Sequence, residues 1–213
     1  MKSWSQLPSE NNSITPIFPS FAFPNLEYFN SLTKFESVSI EGFETFPKQT
    51  YRNRFYILSA NGELGISVPI VKEKDFRALT NQVRISYHDK WNLKAWRAIE
   101  SAYGKSPYFE YFEQEIRTFF FNEYEKLIDF NTEVLSYFLK RWKIETTINS
   151  NSQYIKLVDE NLDFRVRFEI SKMKEYNSKP YYQCFCDKYG YVKNLSCLDL
   201  LFNQGVNIEF LSK

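Results

Sequence analysis

The residues best suited to chemistry in this chain of 213 residues form a short basic stretch, Tyr51, Arg52, Asn53 and Arg54. Side chains alternate between the two faces of a strand, so a strand here would put Arg52 and Arg54 on one face. Guanidinium groups bind oxyanions through paired hydrogen bonds, which suits two arginines to a phosphate or a carboxylate. We therefore predict that these four residues bind an anionic substrate.

An internal ion pair is the alternative role for this stretch, because either arginine could pair with Glu41, Glu44 or Glu100. Glu100 is also a candidate catalytic residue, since burial would turn a carboxylate into a general base. Asp199 is the second catalytic candidate. It lies one helical turn from Asn203 in an otherwise apolar segment, where the two polar groups either assist catalysis or brace the fold.

Other catalytic and metal-binding patterns are missing from the sequence. His88 is the only histidine, and we expect it at the surface, without a cysteine or serine nucleophile beside it. Cys184 and Cys186 form a C-x-C pair, but three cysteines and one histidine supply neither a disulfide framework nor the ligands of a zinc site. Glycine-rich phosphate loops are also missing. The sequence therefore predicts no metal site and identifies no cofactor.

Composition restricts the partners. Lys plus Arg number 27 and Asp plus Glu number 26, so no field of positive charge would hold nucleic acid. No apolar run reaches the roughly 18 residues of a membrane helix, and the first residues lack the apolar core of a secretory signal. We expect a cytoplasmic protein without an integral membrane segment. Aromatic residues make up 19% of the chain, which fits a core filled with rings or a surface that stacks on sugars.

Hydrophobic periodicity predicts an α/β fold with a mixed sheet, a central β-hairpin and a helical middle segment. Residues 1–13 are polar and are expected to be a flexible N-terminus, and 14–213 are expected to form a single domain. Asn61 and Gly62 predict a tight type I′ turn, because that turn requires positive φ at both central residues. The predicted strands cover 14–18, 37–40, 52–58, 63–70, 83–87, 145–149 and 154–158.

Helical spacing and end signals locate the helices. Ser106 and Asn122 are expected N-caps, with Glu125 completing a capping box, and Gly104 and Gly205 are expected stops. The predicted helices cover 25–33, 92–103, 106–121, 122–142 and 194–205. The residues predicted to be buried on helical apolar faces are Leu127, Phe130, Val134, Phe138, Trp142 and Leu198.

Several segments, taken together and in order, resemble the WbqC-like protein family. The resemblance covers about Phe18 to Gly205. It rests on Lys48-Gln-Thr-Tyr-Arg-Asn-Arg54, Ile57-Leu-Ser-Ala-Asn-Gly62, Ser67-Val-Pro69, Trp91, Ile99-Glu-Ser-Ala-Tyr103, Ser106-Pro-Tyr-Phe-Glu-Tyr-Phe112, Asp129-Phe-Asn131, Pro180-Tyr-Tyr-Gln183, Gly190-Tyr-Val192, Asn194-Leu-Ser196 and Leu198-Asp-Leu-Leu-Phe-Asn203.

The resemblance implies a Rossmann-like sheet and a role in bacterial surface-polysaccharide synthesis, such as that of O-antigen. The implied function is in glycan or sugar-nucleotide metabolism, with a transferase as the enzyme class and a small-molecule or lipid-linked anionic sugar as substrate. Relatives often carry histidine at the positions of Phe43 and Ala95. Because general acid–base catalysis relies strongly on histidine, the loss favours the alternative of a non-catalytic binding or accessory protein on a degenerate enzyme fold.

Overall fold

The computed structural model describes residues 15–48, 50–71, 77–156, 159–168 and 179–211. The residues predicted to be flexible, 1–13, lie outside this part of the chain. The strands are β1 (Ile17–Pro19), β2 (Ser37–Glu41), β3 (Arg54–Ser59), β4 (Gly62–Ser67) and β5 (Thr147–Ser150). The helices are α1 (Leu26–Leu32), α2 (Trp91–Tyr103), α3 (Phe109–Phe121), α4 (Leu127–Arg141), α5 (Phe164–Arg167), α6 (Cys186–Tyr189) and α7 (Cys197–Gln204), with a 3-10 turn at Thr80–Gln82.

The predicted α/β class, with a central hairpin and a helical middle, is confirmed. Strands β1, β2 and β5 form a parallel sheet of three strands in the order β1-β2-β5, and β3 pairs with β4 as an antiparallel hairpin. Among the described strands, the parallel pairs lie in one sheet and the antiparallel pair lies in another. The fold therefore combines both kinds of pairing, but no single sheet is mixed. Parallel neighbours require a crossover connection, which α1 provides between β1 and β2.

Helix α1 begins where the sequence places its cap. The Oδ1 atom of Asn25 accepts a hydrogen bond from the backbone N–H of Tyr28 at 3.0 Å, which satisfies one of the free donors at the helix start. The Tyr28 hydroxyl in turn donates to the carbonyl of Pro19 at 3.0 Å. The helix is therefore fastened to the carboxyl end of β1.

The hairpin is confirmed, but its predicted turn type is wrong. Ser59 pairs directly with Gly62, so the two loop residues are Ala60 and Asn61. Gly62 has a φ of 98°, whereas Asn61 is not among the described residues with positive φ. A type I′ turn centred on Asn61 and Gly62 is therefore excluded. The positive φ instead falls on Gly62 as the first residue of β4, directly after the two loop residues.

Two predicted helix starts are also wrong. The Ser106 hydroxyl donates to the Tyr103 carbonyl at 2.6 Å and so closes the end of α2 instead of capping α3. Asn122 ends α3, where its backbone N–H donates to the Thr118 carbonyl at 2.9 Å, and α4 begins only at Leu127. Polar residues between two helices fit either end equally well by sequence.

The segment 83–87 was predicted as a strand and forms only isolated bridges, between Ile70 and Ile85 and between Arg84 and Lys126. Its alternation arises because Val83 and Ile85 are buried in a loop. Residues 154–156 are likewise not a strand, and the rest of that predicted strand, 157–158, lies outside the described chain.

The buried apolar residues form one cluster, which extends from Phe18 to Leu211. Val134, Phe138, Trp142 and Leu198 are all buried, as predicted. Phenylalanine rings fill much of this core, since nine of the largest fully buried side chains are phenylalanines. These rings are Phe18, Phe21, Phe23, Phe29, Phe55, Phe120, Phe130, Phe138 and Phe202.

Candidate functional site

Arg52 is an internal brace and not a ligand-facing residue. Its Nε and Nη2 atoms donate to the two carboxylate oxygens of Glu44 at 2.6 and 2.8 Å. Its Nη1 atom donates to the Thr50 hydroxyl at 2.8 Å, and only 5% of the residue is exposed. The alternative of an internal ion pair, with Glu44 as partner, therefore describes this arginine.

Arg54 is the first residue of β3 and is half-buried. Its Nε atom donates to the hydroxyl of Ser67, the residue opposite it on β4, at 3.0 Å. Within the described chain no carboxylate lies within ion-pair distance of it. Because Arg52 precedes the strand in a turn, the predicted pair of arginines on one strand face does not form. Of these two arginines, Arg54 is the one whose guanidinium group can reach a ligand.

Tyr51 is half-buried and packs between the core and the hairpin. Its ring contacts Phe21 and Tyr56, with centroid distances of 5.5 and 5.7 Å. Burial, followed by the influence of Tyr56 and Glu63, raises the pKa of Tyr51 to about 12, while a hydrogen bond with the Asn25 side chain opposes the rise. The hydroxyl is therefore a neutral hydrogen-bond donor at neutral pH.

Asn53 closes the open end of the hairpin. Its Nδ2 atom donates to the Val68 carbonyl at 3.0 Å, and the Val68 backbone N–H donates to the Asn53 carbonyl at 2.8 Å. The residue thus extends the β3–β4 pairing by one position, which fixes where Arg54 begins the strand.

Alternation along β3 divides the hairpin into two faces. Phe55 and Ile57 point into the core, so Arg54 and Tyr56 point the other way. The Tyr56 ring lies against Gly65, where an added Cβ atom would be only 3.0 Å from Cε1 of the ring. We call this surface the hairpin face; it consists of Tyr51, Arg54, Tyr56, Glu63, Gly65 and Ser67.

Glu100 lies on α2 but is exposed. Its side chain forms no hydrogen bond or ion pair with the described residues, and its carbonyl accepts a hydrogen bond from the Gly104 backbone N–H at 2.8 Å. Burial was the reason to consider this carboxylate as a general base, and that reason is absent.

Asp199 is completely buried. Its Oδ1 atom accepts a hydrogen bond from the Tyr103 hydroxyl at 2.8 Å, and its Oδ2 atom accepts from the Tyr181 hydroxyl at 2.6 Å and from Nε2 of Gln183 at 2.8 Å. Burial raises the pKa of Asp199, and the three hydrogen bonds oppose the rise. The carboxylate ties α2 and the segment around Gln183 to α7, a bracing arrangement for a buried polar group.

Asn203 does not bond to the Asp199 side chain. Its Nδ2 atom donates to the backbone carbonyl of Asp199 at 2.8 Å, and its Oδ1 atom accepts from the Cys184 thiol at 3.4 Å. Asp199 and Asn203 are therefore joined by a hydrogen bond within α7, and the Asn203 side chain also links α7 to the segment at Cys184. Burial raises the pKa of Cys184 to about 11, so this thiol is not an activated nucleophile.

A second polar cluster, which sequence reasoning missed, lies at the carboxyl end of β2, the edge where parallel α/β sheets commonly bind ligands. Arg165 donates through Nη1 to Glu41 and through Nη2 to Asp163, at 2.8 and 2.6 Å. Its bond to Asp163 lowers the pKa of that carboxyl group. Arg165 is 9% exposed, so this edge is closed by an internal ion pair. The Asp-x-Arg spacing of Asp163 and Arg165 was the signal in the sequence that could have identified this cluster.

An open groove of about 1390 Å³ lies at the amino end of β2 and β5, next to Glu36 and Thr146. None of the predicted site residues lines it. Its charged lining is balanced, with as many lysines as glutamates, so it has no charge preference for an anion. Those residues are Lys34, Lys143, Lys179, Glu36, Glu145 and Glu209.

Metal and membrane features can be assessed for the same part of the chain. The described histidine, cysteine, aspartate and glutamate residues form no group suited to holding a metal ion. None of the helices seen there combines the length and apolar character needed to cross a bilayer. The His88 side chain is 92% exposed, as predicted.

Comparison with known proteins gives one match. A family model described as the WbqC-like protein family matches residues 19–172. No curated protein and no solved structure shows significant similarity to the chain. The matched region contains the whole hairpin face and Glu100, whereas Asp199 lies outside it.

Proposed function

Because the chain belongs to the WbqC-like protein family, we propose that it acts in the synthesis of a cell-surface polysaccharide such as O-antigen. Its ligand is an anionic sugar, either a sugar nucleotide or a lipid-linked sugar phosphate, and it binds at the hairpin face. The reaction class that uses such ligands is glycosyl or related group transfer. A cytoplasmic location belongs to the proposal, because sugar nucleotides are built from nucleoside triphosphates.

The observation that carries the proposal is the state of Arg54. Arg52 and Arg165 are buried and held by carboxylates, whereas Arg54 is half-buried and bonded through Nε to a neutral hydroxyl. A guanidinium group has five N–H donors, so the two terminal nitrogens of Arg54 can hold two phosphate oxygens at once. The Tyr51 ring contacts Tyr56, two positions along the strand from Arg54, and its neutral hydroxyl is the further donor that we assign to the same anion.

Binding measurements test this role. Wild type and Arg54→Lys are titrated by calorimetry at low salt with UDP-glucose, GDP-mannose, dTDP-glucose and CMP-sialic acid. Lysine keeps the charge but not the forked donor geometry, so affinity should fall by about 1.5 to 3 kcal/mol. Arg84→Lys is the matched control, because Arg84 is an exposed arginine on another segment, paired with Glu125. Its affinity should stay within about twofold of wild type, as is usual for surface changes.

The proposal fails if no member of the panel binds. It also fails if a binder is indifferent to Arg54→Lys, because the hairpin face would then not hold the anion.

A non-catalytic binding or accessory role is the second candidate, and the positions of the two carboxylates favour it. Glu100 is exposed on α2 and Asp199 is enclosed under α7, so neither lies on the hairpin face. If this role is correct, the ligand that binds is recovered unchanged after incubation with membranes that carry lipid-linked acceptors. Release of free nucleotide that depends on the added protein would instead support a transferase.

A further inference from the structure

We infer that the hairpin face holds its ligand in one direction. The phosphate binds at Arg54, the sugar ring lies over Tyr56, and the hydroxyl groups of the sugar bond to Glu63. The inference rests on the proposed function and narrows the ligand to glycosyl phosphates whose sugar has hydroxyl groups free to donate. Nucleotides without the sugar are predicted to occupy only the Arg54 end.

The strand register places these groups in a line. Arg54 is opposite Ser67, Tyr56 is opposite Gly65, and Leu58 is opposite Glu63. Paired residues in an antiparallel ladder share a face, so Arg54, Tyr56 and Glu63 all project from the hairpin face. Four residues separate Arg54 from the position of Glu63, which is about 14 Å at the usual rise of a strand. Tyr56 stands midway between them.

Gly65 allows the Tyr56 ring to pack against the hairpin backbone. The ring occupies the space that a side chain at position 65 would need, with its Cε1 and Cδ1 atoms 3.0 and 3.4 Å from the site of an added Cβ. The ring is half-buried, so it rests on the glycine and remains partly open to solvent. The face of an aromatic ring carries partial negative charge. It therefore attracts the C–H groups on the apolar side of a sugar ring.

Glu63 lies at the other end of the hairpin face from Arg54. It is exposed, and its carboxylate forms no hydrogen bond or ion pair with the described residues. It pairs with Leu58 in the ladder, so it is the diagonal neighbour of Tyr56 on the same face. A carboxylate accepts strong hydrogen bonds from hydroxyl groups but repels a phosphate. The same residue therefore attracts the sugar and keeps the phosphate at Arg54.

Glu63→Gln separates this role from a general charge effect. The ligand that binds tightest in the panel is compared with the nucleotide that lacks its glycosyl group, which differs by the missing sugar and by one more ionisable phosphate oxygen. The effect of each substitution is therefore judged within one ligand, as variant against wild type. Binding of the sugar-bearing ligand should weaken about fivefold, the loss expected for a hydrogen bond of about 1 kcal/mol. Binding of the bare nucleotide should stay equal or tighten, because a repelling charge is removed. The exposed Glu110→Gln on α3 is the matched control and should change neither affinity.

Gly65→Ala is the second variant, because its added methyl group displaces the Tyr56 ring. It should weaken the sugar-bearing ligand but leave the bare nucleotide within about twofold, since the Arg54 end is unchanged. If Arg54→Lys weakens binding, but Glu63→Gln and Gly65→Ala change the affinities for the two ligands equally, the orientation is wrong and the proposed function survives. If Arg54→Lys has no effect or nothing binds, both are wrong.

Discussion

At the scale of single residues, Arg52 and Arg54 show how two identical side chains two positions apart acquire different roles. Arg52 lies in a turn that brings it against Glu44, and its guanidinium N–H groups form hydrogen bonds within the protein. Arg54 begins a strand on the open side of the hairpin and bonds to Ser67. The first is therefore expected to affect stability and the second to affect affinity.

Arg52→Ala should lower the free energy of unfolding by about 3 to 5 kcal/mol, because it leaves the Glu44 carboxylate buried without its partner. Arg54→Ala, which removes a group in contact with solvent, should cost less than about 1 kcal/mol. Urea denaturation followed by circular dichroism measures both. Equal losses in the two variants would contradict the division of roles.

Asp199 should give the protein a characteristic pH dependence. Burial raises its folded-state pKa above the ordinary value of 3.8, so between the two pKa values the folded chain holds a proton that the unfolded chain has released. Its contribution to stability is therefore fully present below the unfolded pKa and is lost as the pH rises through the folded pKa. Asp199→Asn cannot ionise and lacks this loss.

The stability of wild type relative to Asp199→Asn should therefore fall as the pH rises above the ordinary carboxyl pKa of 3.8. Urea denaturation at several pH values measures the difference. A difference that is constant, or that grows with pH, would show that burial does not dominate the ionisation of this carboxyl group.

At the scale of elements, the hairpin depends on Gly62 for its backbone conformation. The φ of 98° lies in the region that favours glycine, and an added Cβ would have Tyr189 as its nearest neighbour at 3.8 Å. Space is therefore available, and the cost of Gly62→Ala is backbone strain alone, about 1 to 2 kcal/mol. Asn61→Ala is the control and should cost less, because Asn61 does not have positive φ.

Helix α4 supplies the centre of the core through Phe138, which is fully buried. Its ring contacts Phe23, Phe29 and Trp142. Phe138→Ala should therefore cost about 3 to 5 kcal/mol in unfolding free energy, the usual range for emptying the site of a core ring. A loss below about 1 kcal/mol, typical of surface positions, would contradict the assignment.

The sequence predicted the elements that depend on local pattern. The stripe containing Val134 and Phe138 identified α4, and Asn-Gly located the hairpin to within one residue. The strand predicted at 83–87 failed because alternation also arises where a loop buries every second residue. The role of Arg52 could not be assigned, because its pairing with Glu44 depends on a turn between two segments that no local pattern specifies.

At the scale of the whole molecule, the carboxyl edge of the parallel sheet and the hairpin have different roles. The carboxyl end of β2 is occupied by the Glu41–Arg165 pair, a tertiary contact across 124 positions of the chain. That edge is where a ligand was most expected for a Rossmann-like sheet. That edge is closed by an internal ion pair, whereas the hairpin face carries an accessible guanidinium group, so the proposed binding function is assigned to the hairpin face.

The most direct test of that assignment is to map where an anionic sugar binds. Amide chemical shifts of the ¹⁵N-labelled protein are followed by NMR during titration with the tightest sugar nucleotide of the panel. The account predicts that the perturbed amides cluster at residues 51–56 and 62–67. Perturbations confined to the open groove, at residues 33–36, 143–146 and 206–211, would contradict it.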